Sequence, residues 1–228
     1  MCCYGSIPCI KQVTHSFLEF KNLFKNNTLA GKCINSGNQA DIILYDSPYG
    51  AFVHKRPSKK NRVFYIVNNV LLKREYQTLK LLQDISCIPR VYDYDYGIFM
   101  DYYPCKNLRE YGRNNNLIPP NFFNSLLRTL TILHQRGIAH CDLKRKENIL
   151  VQDSGDCLII DFGVCIYRSN FFFKPLFKLF TQSDLNAYIK LKYGNKFNLL
   201  SKEDQSIYRL TTIEKLLKML RRLLRRFC

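Results

Sequence analysis

The stretch His140-Cys141-Asp142-Leu143-Lys144-Arg145-Lys146-Glu147-Asn148, followed downstream by Asp161-Phe162-Gly163, decides how this chain is read. Between the two lie Ile149-Leu150-Val151, a polar turn Gln152-Asp153-Ser154-Gly155-Asp156, and Cys157-Leu158-Ile159-Ile160. Two short apolar runs about a polar turn predict a β-hairpin. A hairpin folds back on itself, so Asn148 and Asp161 meet at its open end, close to Asp142. An amide oxygen and a carboxylate converging there are hard ligands suited to a Mg²⁺ ion that also binds phosphates. Asp142 is then placed to accept the proton of an attacking hydroxyl, and Lys144 to offset charge on a transferring phosphoryl group.

Working outward, Phe122 to Gln135 carries Phe123, Leu126, Leu127, Leu130 and Leu133 at helical spacing, and Gly137 is placed to end that helix. Residues 28 to 56 predict a three-stranded antiparallel meander: Leu29 to Ile34, Asp41 to Tyr45 and Ala51 to Lys55, with Ser36-Gly37-Asn38-Gln39-Ala40 and Asp46-Ser47-Pro48-Tyr49-Gly50 as the connections. Val67 to Leu82 has apolar residues at 67, 70, 71, 79 and 82, a helical period. Ile88 to Tyr92 and Gly97 to Met100 return to extended structure. The chain therefore reads as an α+β protein, a β-rich part followed by an α-rich part, joined near Met100 to Pro104.

The catalytic stretch resembles the H-R-D-L-x-x-x-N loop of the protein-kinase-like superfamily, and Asp161-Phe162-Gly163 resembles its D-F-G turn. The resemblance implies a two-lobed fold, with a β-rich N-lobe bearing one helix and a shortened α-rich C-lobe. It implies ATP and Mg²⁺ as cofactors, Asp142 and Lys144 as catalytic residues, and Asn148 and Asp161 as metal ligands. Lys55, ending Ala51-Phe52-Val53-His54-Lys55, resembles the lysine of V-A-I-K, with Glu75 its helix partner; Lys59 and Lys60 in the following polar loop compete with it. Gly37 and Asn38 stand where a phosphate-covering loop is expected, although no G-x-G-x-x-G is present. Phe99 to Pro104 resembles the lobe connection, with Asp101 and Tyr103 offering backbone groups to adenine and Met100 lining that pocket.

Two departures from the pattern stand out. Asn148 is six residues after Asp142 where the family spacing is five, and Cys141 replaces the Arg of H-R-D. Loss of that Arg argues against control by a phosphorylated activation loop. Nothing after Asp161-Phe162-Gly163 resembles an A-P-E motif, so the chain looks like the small kinases: RIO and Bud32 types and the bacterial lipopolysaccharide core sugar kinases. The domain boundaries expected are an N-terminal extension 1–27 that packs on the N-lobe, then an N-lobe 28–101 and a C-lobe 102–228. The acceptor expected is a glycolipid sugar hydroxyl such as lipopolysaccharide core. Serine/threonine protein phosphorylation is the alternative, and an RNA-associated Bud32-like role or a pseudokinase binding module follow.

Composition limits the partners. In 228 residues, 35 Lys+Arg against 18 Asp+Glu give +17, which predicts attraction to an anionic partner. With 46% hydrophobic residues the chain is too apolar for disorder. The ten cysteines form no C-x-x-C pair and the start shows no signal peptide, so a reduced, cytoplasmic protein is expected. Residues 213–228 place Ile213, Leu216, Leu217, Leu220, Leu223, Leu224 and Phe227 on one helical face and bases elsewhere. Peripheral contact with an anionic membrane, on its inner face, is expected from that segment, with nucleic acid the lesser reading.

Overall fold

The computed structural model describes residues 10–37, 39–60, 62–113, 117–194 and 196–210. Asn38 and the amphipathic stretch 213–228 lie outside the described residues. The chain divides into two compact units. One comprises the residues up to Asp84 with Pro89–Pro104, the other Ile85–Ile88 with the residues from Cys105 onward.

In the first unit, helix α1 (Ile10–Lys25) precedes the meander β1 (Gly31–Ser36), β2 (Ala40–Ser47) and β3 (Gly50–Pro57). Helix α2 (Arg62–Leu81) leads to β4 (Val91–Tyr94) and β5 (Ile98–Asp101), completing an antiparallel sheet in the order β1-β2-β3-β5-β4. Strand alternation sorts the side chains into two sets. Tyr45 pairs with Phe52 and Ile43 with His54, and Phe99 faces His54, on one side of the sheet. Val53, paired with Met100, and Lys55, paired with Ile98, lie on the other.

Helix α1 covers the first side. Its Phe17, Phe20 and Phe24 recur at helical spacing and pack on Ile43, Tyr45, Phe52 and Phe99, with Phe17 and Phe20 buried. Phe20 lies 4.4 Å from Phe52 and Phe24 stands edge-on to Tyr45 at 5.3 Å. Within 28–101 the sheet carries one helix, α2, as the sequence reading expects, and α1, from the extension before residue 28, packs on it as well: a stripe of three phenylalanines needs an apolar surface, and the sheet supplies it. An ion pair from Lys21 to Asp93 ties the same helix to β4.

Helix α2 begins five residues earlier than its apolar period suggests, and it presents a different face. Asn68, Leu72, Glu75 and Leu79 are buried, while Val67 and Val70 are exposed. The pairing of Glu75 with Lys55 sets that rotation, because it requires the 68/72/75/79 stripe to face the sheet.

In the second unit, β6 (Lys106–Asn107) and α3 (Leu108–Arg113) precede α4 (Phe122–Gln135). They are followed by β7 (Ile138–Ala139), the hairpin β8 (Ile149–Val151) and β9 (Cys157–Ile159), then β10 (Ile166–Tyr167), α5 (Phe177–Tyr193) and α6 (Lys202–Ile207). Phe122, Leu126, Leu130 and Leu133 of α4 are fully buried beside Leu158, Ile159 and Ile189. Gly137 ends α4 in the left-handed region, φ 75°, with its N–H bonded to the His134 carbonyl. Strands β6, β8 and β9 form a three-stranded sheet, and β7 pairs with β10. Ile85–Ile88 belongs to this unit because the Cys87 carbonyl accepts the Ile159 N–H at 2.9 Å and Ile85, Cys87 and Ile88 are buried. The extended run expected from Ile88 accordingly starts only at Val91.

Candidate active site

The catalytic loop is built by β7 leading in and the β8–β9 hairpin leading out. Ile149 pairs with Ile159 and Val151 with Cys157, which returns the chain so that the Ile160 N–H bonds to the Asn148 carbonyl at 2.9 Å. The extra residue between Asp142 and Asn148 is absorbed by two consecutive turns. Arg145 N–H reaches the Asp142 carbonyl at 3.4 Å, and a single turn of 3₁₀ helix over Lys146–Asn148 closes with Asn148 N–H on the Arg145 carbonyl at 3.0 Å. As a result Asn148, buried, donates its Nδ2 to both the carbonyl and Oδ2 of Asp142 at 3.0 Å. Its amide nitrogen is thereby committed to Asp142, and its Oδ1 is the end that can accept a cation. Arg145 also lies 3.6 Å from Asp142 Oδ2. Lys144 is exposed on the same loop.

Two non-glycine residues of this site have left-handed backbone: Cys141 with φ 70° and Asp161 with φ 67°. Such a conformation costs about 1–2 kcal/mol for a residue with a Cβ, so something must hold it. For Cys141 the holder is Asp184 of α5, which is 1% exposed. Its Oδ1 accepts the Cys141 N–H and its Oδ2 the His140 N–H, both at 2.8 Å, and His134 Nε2 lies 3.1 Å from Oδ2. Asp184 was not among the residues the sequence singled out. A lone acid in a basic helical segment looks like a solvated charge, and only the fold shows it receiving two backbone donors from a loop some forty residues earlier.

His140 is fully buried and orders the other side of the loop. Its Nδ1 accepts the Asp142 N–H at 3.3 Å while Nε2 lies 3.1 Å from the Ile160 carbonyl. That pair of contacts requires the neutral ring with the proton on Nε2. Burial, which outweighs the nearby Asp184, lowers its pKa and so favours the neutral form.

The donor set here suits Mg²⁺. Asn148 Oδ1 and the Asp161 carboxylate are hard oxygens, and among the described residues no cluster of three or more His, Cys, Asp or Glu forms an all-protein metal cage. A cation that takes one or two protein ligands and completes its shell with phosphate and water fits such a site.

The first unit carries the other expected residues. Lys55 Nζ bonds to both carboxylate oxygens of Glu75 at 2.8 and 2.9 Å, the lysine side chain 14% and the glutamate side chain 3% exposed. Of the competing lysines, Lys60 instead reaches the Ser36 carbonyl at 3.3 Å. Gly37 lies in the β1–β2 connection, where its N–H bonds to the Ala40 carbonyl at 3.0 Å. Asp101 ends β5, its N–H on the Arg90 carbonyl at 3.1 Å and its Oδ1 accepting the Tyr92 hydroxyl at 2.6 Å. Burial raises its pKa. The Tyr103 hydroxyl accepts the Arg90 N–H at 3.1 Å.

The chain is similar to a probable serine/threonine-protein kinase fnkB of Dictyostelium discoideum, 25% identical over 183 residues covering 74% of this chain and 32% of that protein. It is 26% identical to serine/threonine-protein kinase shk1/pak1 of Schizosaccharomyces pombe over 151 residues, 65% of this chain and 22% of that one. A shorter match, 47% identical over 64 residues, joins it to cyclin-dependent kinase 2 of Caenorhabditis elegans, covering 26% of this chain and 17% of that protein. The chain spans about a third or less of the length of these relatives. The family model "Protein kinase domain" matches residues 54–171, from the strand that ends in Lys55 to beyond Asp161-Phe162-Gly163 and over half the chain, and this chain belongs to the protein kinase family.

Proposed function

We propose that the chain transfers the γ-phosphoryl group of ATP to a serine or threonine hydroxyl of a protein. The observation that carries this is the pair of contacts from Asn148 to Asp142 across a loop one residue longer than the family spacing, since they keep proton acceptor and metal-binding amide together. Asp142 takes the acceptor hydroxyl's proton on its carboxylate as that oxygen bonds to the γ-phosphorus and the bond from phosphorus to the β–γ bridging oxygen breaks, releasing ADP, while Asn148 and Arg145 hold the carboxylate oriented through Oδ2. Lys144 balances charge on the transferring group, and in the first unit Lys55, fixed by Glu75, neutralises the nucleotide's α- and β-phosphates. Gly37, with Asn38, lets backbone approach those phosphates. The adenine is taken by the Asp101 carbonyl and the Tyr103 backbone, the Asp101 N–H being committed to Arg90. Mg²⁺, held by Asn148 and Asp161, would supply charge neutralisation at the β- and γ-phosphates.

The acceptor class rests on the relatives. Those matched most extensively are named serine/threonine-protein kinases, which supports a protein acceptor over the lipopolysaccharide core sugar expected from the missing A-P-E motif and the basic segment 213–228. Incubating the full chain with ATP labelled at the γ-phosphoryl group, and offering generic proteins alongside core glycolipid, tests it. Label is expected in protein Ser and Thr, removed by Asp142→Ala while nucleotide binding persists. Label only in glycolipid defeats the acceptor assignment, and undiminished transfer by Asp142→Ala defeats the catalytic one. Mg-ATP binding with no transfer to any acceptor leaves the pseudokinase reading standing.

A further inference from the structure

The turn between β10 and α5 carries the most exposed aromatic pair among the described residues. Phe171 is 86% and Phe172 80% exposed, next to exposed Leu176, in a chain whose other phenylalanines mostly build cores. Water-exposed aromatic surface of this size is costly unless something covers it. The turn is ordered: Phe172 N–H bonds to Asn170 Oδ1 at 3.1 Å, the Asn170 carbonyl accepts Phe173 and Lys174 N–H at 3.1 and 2.9 Å, and Leu176 N–H bonds to the Phe173 carbonyl at 3.0 Å. Phe173 anchors the turn on Phe180 of α5 at 5.9 Å, and Phe177 is buried behind it. The two outer rings are thus held out by a hydrogen-bonded base, and among the described residues the aromatic ring each one meets is the other, 5.9 Å apart.

The charge along this segment has one sign. From Phe162 to Ser183 the chain contains no Asp or Glu, and its bases Arg168, Lys174 and Lys178 are all exposed. An ordered aromatic tip flanked along the chain by exposed bases and no acid matches a medium that is apolar beneath and anionic above, the interface of a phospholipid leaflet. A protein partner would have to combine an aromatic-binding pocket with an acidic rim. The net +17 of the chain draws it toward the same kind of surface.

We infer that the 168–178 turn is a membrane-contact element, Phe171 and Phe172 entering the interface of an anionic bilayer while Arg168, Lys174 and Lys178 meet its headgroups. The contact is carried by a loop of the second unit, independently of the segment 213–228 and of the acceptor the enzyme uses.

The chain has no tryptophan, so F172W gives a single fluorescent reporter at the tip. On adding phosphatidylcholine vesicles containing phosphatidylserine to the full chain, its emission is expected to shift to the blue and to become quenchable by acyl-chain-linked quenchers. Pure phosphatidylcholine vesicles are expected to give little change, and salt to reverse the effect. In cosedimentation, F171S/F172S is expected to weaken partition at least ~10-fold, since one buried Phe side chain corresponds to about that factor. K174E is expected to weaken it further and to flatten its salt dependence. Unchanged thermal unfolding of F171S/F172S confirms that folding is intact. The inference is overturned if the wild-type chain ignores phosphatidylserine vesicles, or if F171S/F172S binds them as tightly as wild type. It is overturned equally if that variant binds vesicles normally but raises KM for a protein acceptor, which would make the turn a protein-docking element.

Discussion

His54 immediately precedes Lys55 on β3 but points to the opposite side of the sheet, where α1 covers it. Its ring is buried, stacked 4.1 Å from Phe99 and edge-on to Phe24, with Nε2 3.2 Å from the Asp95 carbonyl and Nδ1 without a hydrogen-bond partner. Burial, aided by the Arg56 charge and opposed by the Asp95 carbonyl, lowers its pKa from 6.5 to about 4. Between those values the unfolded chain binds a proton that the folded chain refuses. Because the folded-state pKa is depressed, the stability tied to the neutral ring is fully present above about pH 6.5 and is lost as pH falls toward about 4. Going from about pH 7 to about pH 5, one such group removes about 2 kcal/mol, or roughly 4–8 °C in Tm for a chain of this size. His54→Leu keeps the site apolar and removes the titration. Thermal and urea unfolding of both proteins, followed by circular dichroism over that pH range, measures it: wild type is expected to lose about 2 kcal/mol more than the variant. His140, also depressed, contributes equally to both proteins and cancels in the difference. A wild-type to variant gap that stays constant with pH would refute the argument that the fold holds His54 neutral.

Other expectations follow from the same contacts. Glu75→Gln leaves Lys55 partly buried without its carboxylate and should cost about 3 kcal/mol; K55M/E75Q should cost clearly less than the two single changes summed, and a coupling energy of zero in the double-mutant cycle would exclude the pair. Asp184→Asn, which keeps the volume but puts an amide N–H against a backbone donor, should lower kcat while leaving KM for Mg-ATP near wild type, and unaltered kcat would show that Asp184 does not position the loop. Phe20→Ala should cost about 3–5 kcal/mol because Phe20 is fully buried between α1 and the sheet; a midpoint in urea equal to wild type would mean α1 is dispensable to the first unit. Gly97→Ala places a Cβ 2.5 Å from the Lys55 carbonyl at φ +154° and should abolish soluble expression or sharply lower Tm, and a normal Tm would contradict that close approach.

What the sequence made legible were features that local chemistry writes into neighbouring residues. The hairpin at 149–159 follows from two apolar runs about a polar turn, and the end of α4 from a glycine at the left-handed position. The meeting of Lys55 and Glu75 rests on resemblance rather than on period, and the apolar positions that give α2 its period divide, Leu79 and Leu82 going to the core and Val67 and Val70 to water. Val67 and Val70 belong to the apolar count of that helix yet stay in water, because one buried ion pair outweighs two valines in fixing its rotation. That residues 10–25 form a helix is not written into their neighbours. Its phenylalanines form an obvious stripe only once a sheet face exists to receive them, which is a long-range fact.

The longer catalytic loop shows how a departure in spacing can leave a site's geometry in place. What the site needs is that Asp142 and Asn148 touch, and spacing is only a proxy for that. The segment between them turns twice, at Arg145 on Asp142 and at Asn148 on Arg145, and these turns take up the added residue while Asp142 and Asn148 stay in contact. The ends stay put because neither is fixed by the arc. Asn148 is fixed by the hairpin through its carbonyl and Ile160, and the approach to Asp142 by Asp184, which holds the two preceding N–H groups and with them the left-handed turn at Cys141. A residue inserted between two anchored points is tolerated where the arc is exposed, as Lys144, Arg145 and Lys146 are. By the same logic, one inserted between His140 and Cys141 would break the anchorage itself, since the two N–H groups that Asp184 holds are consecutive and admit no spacer.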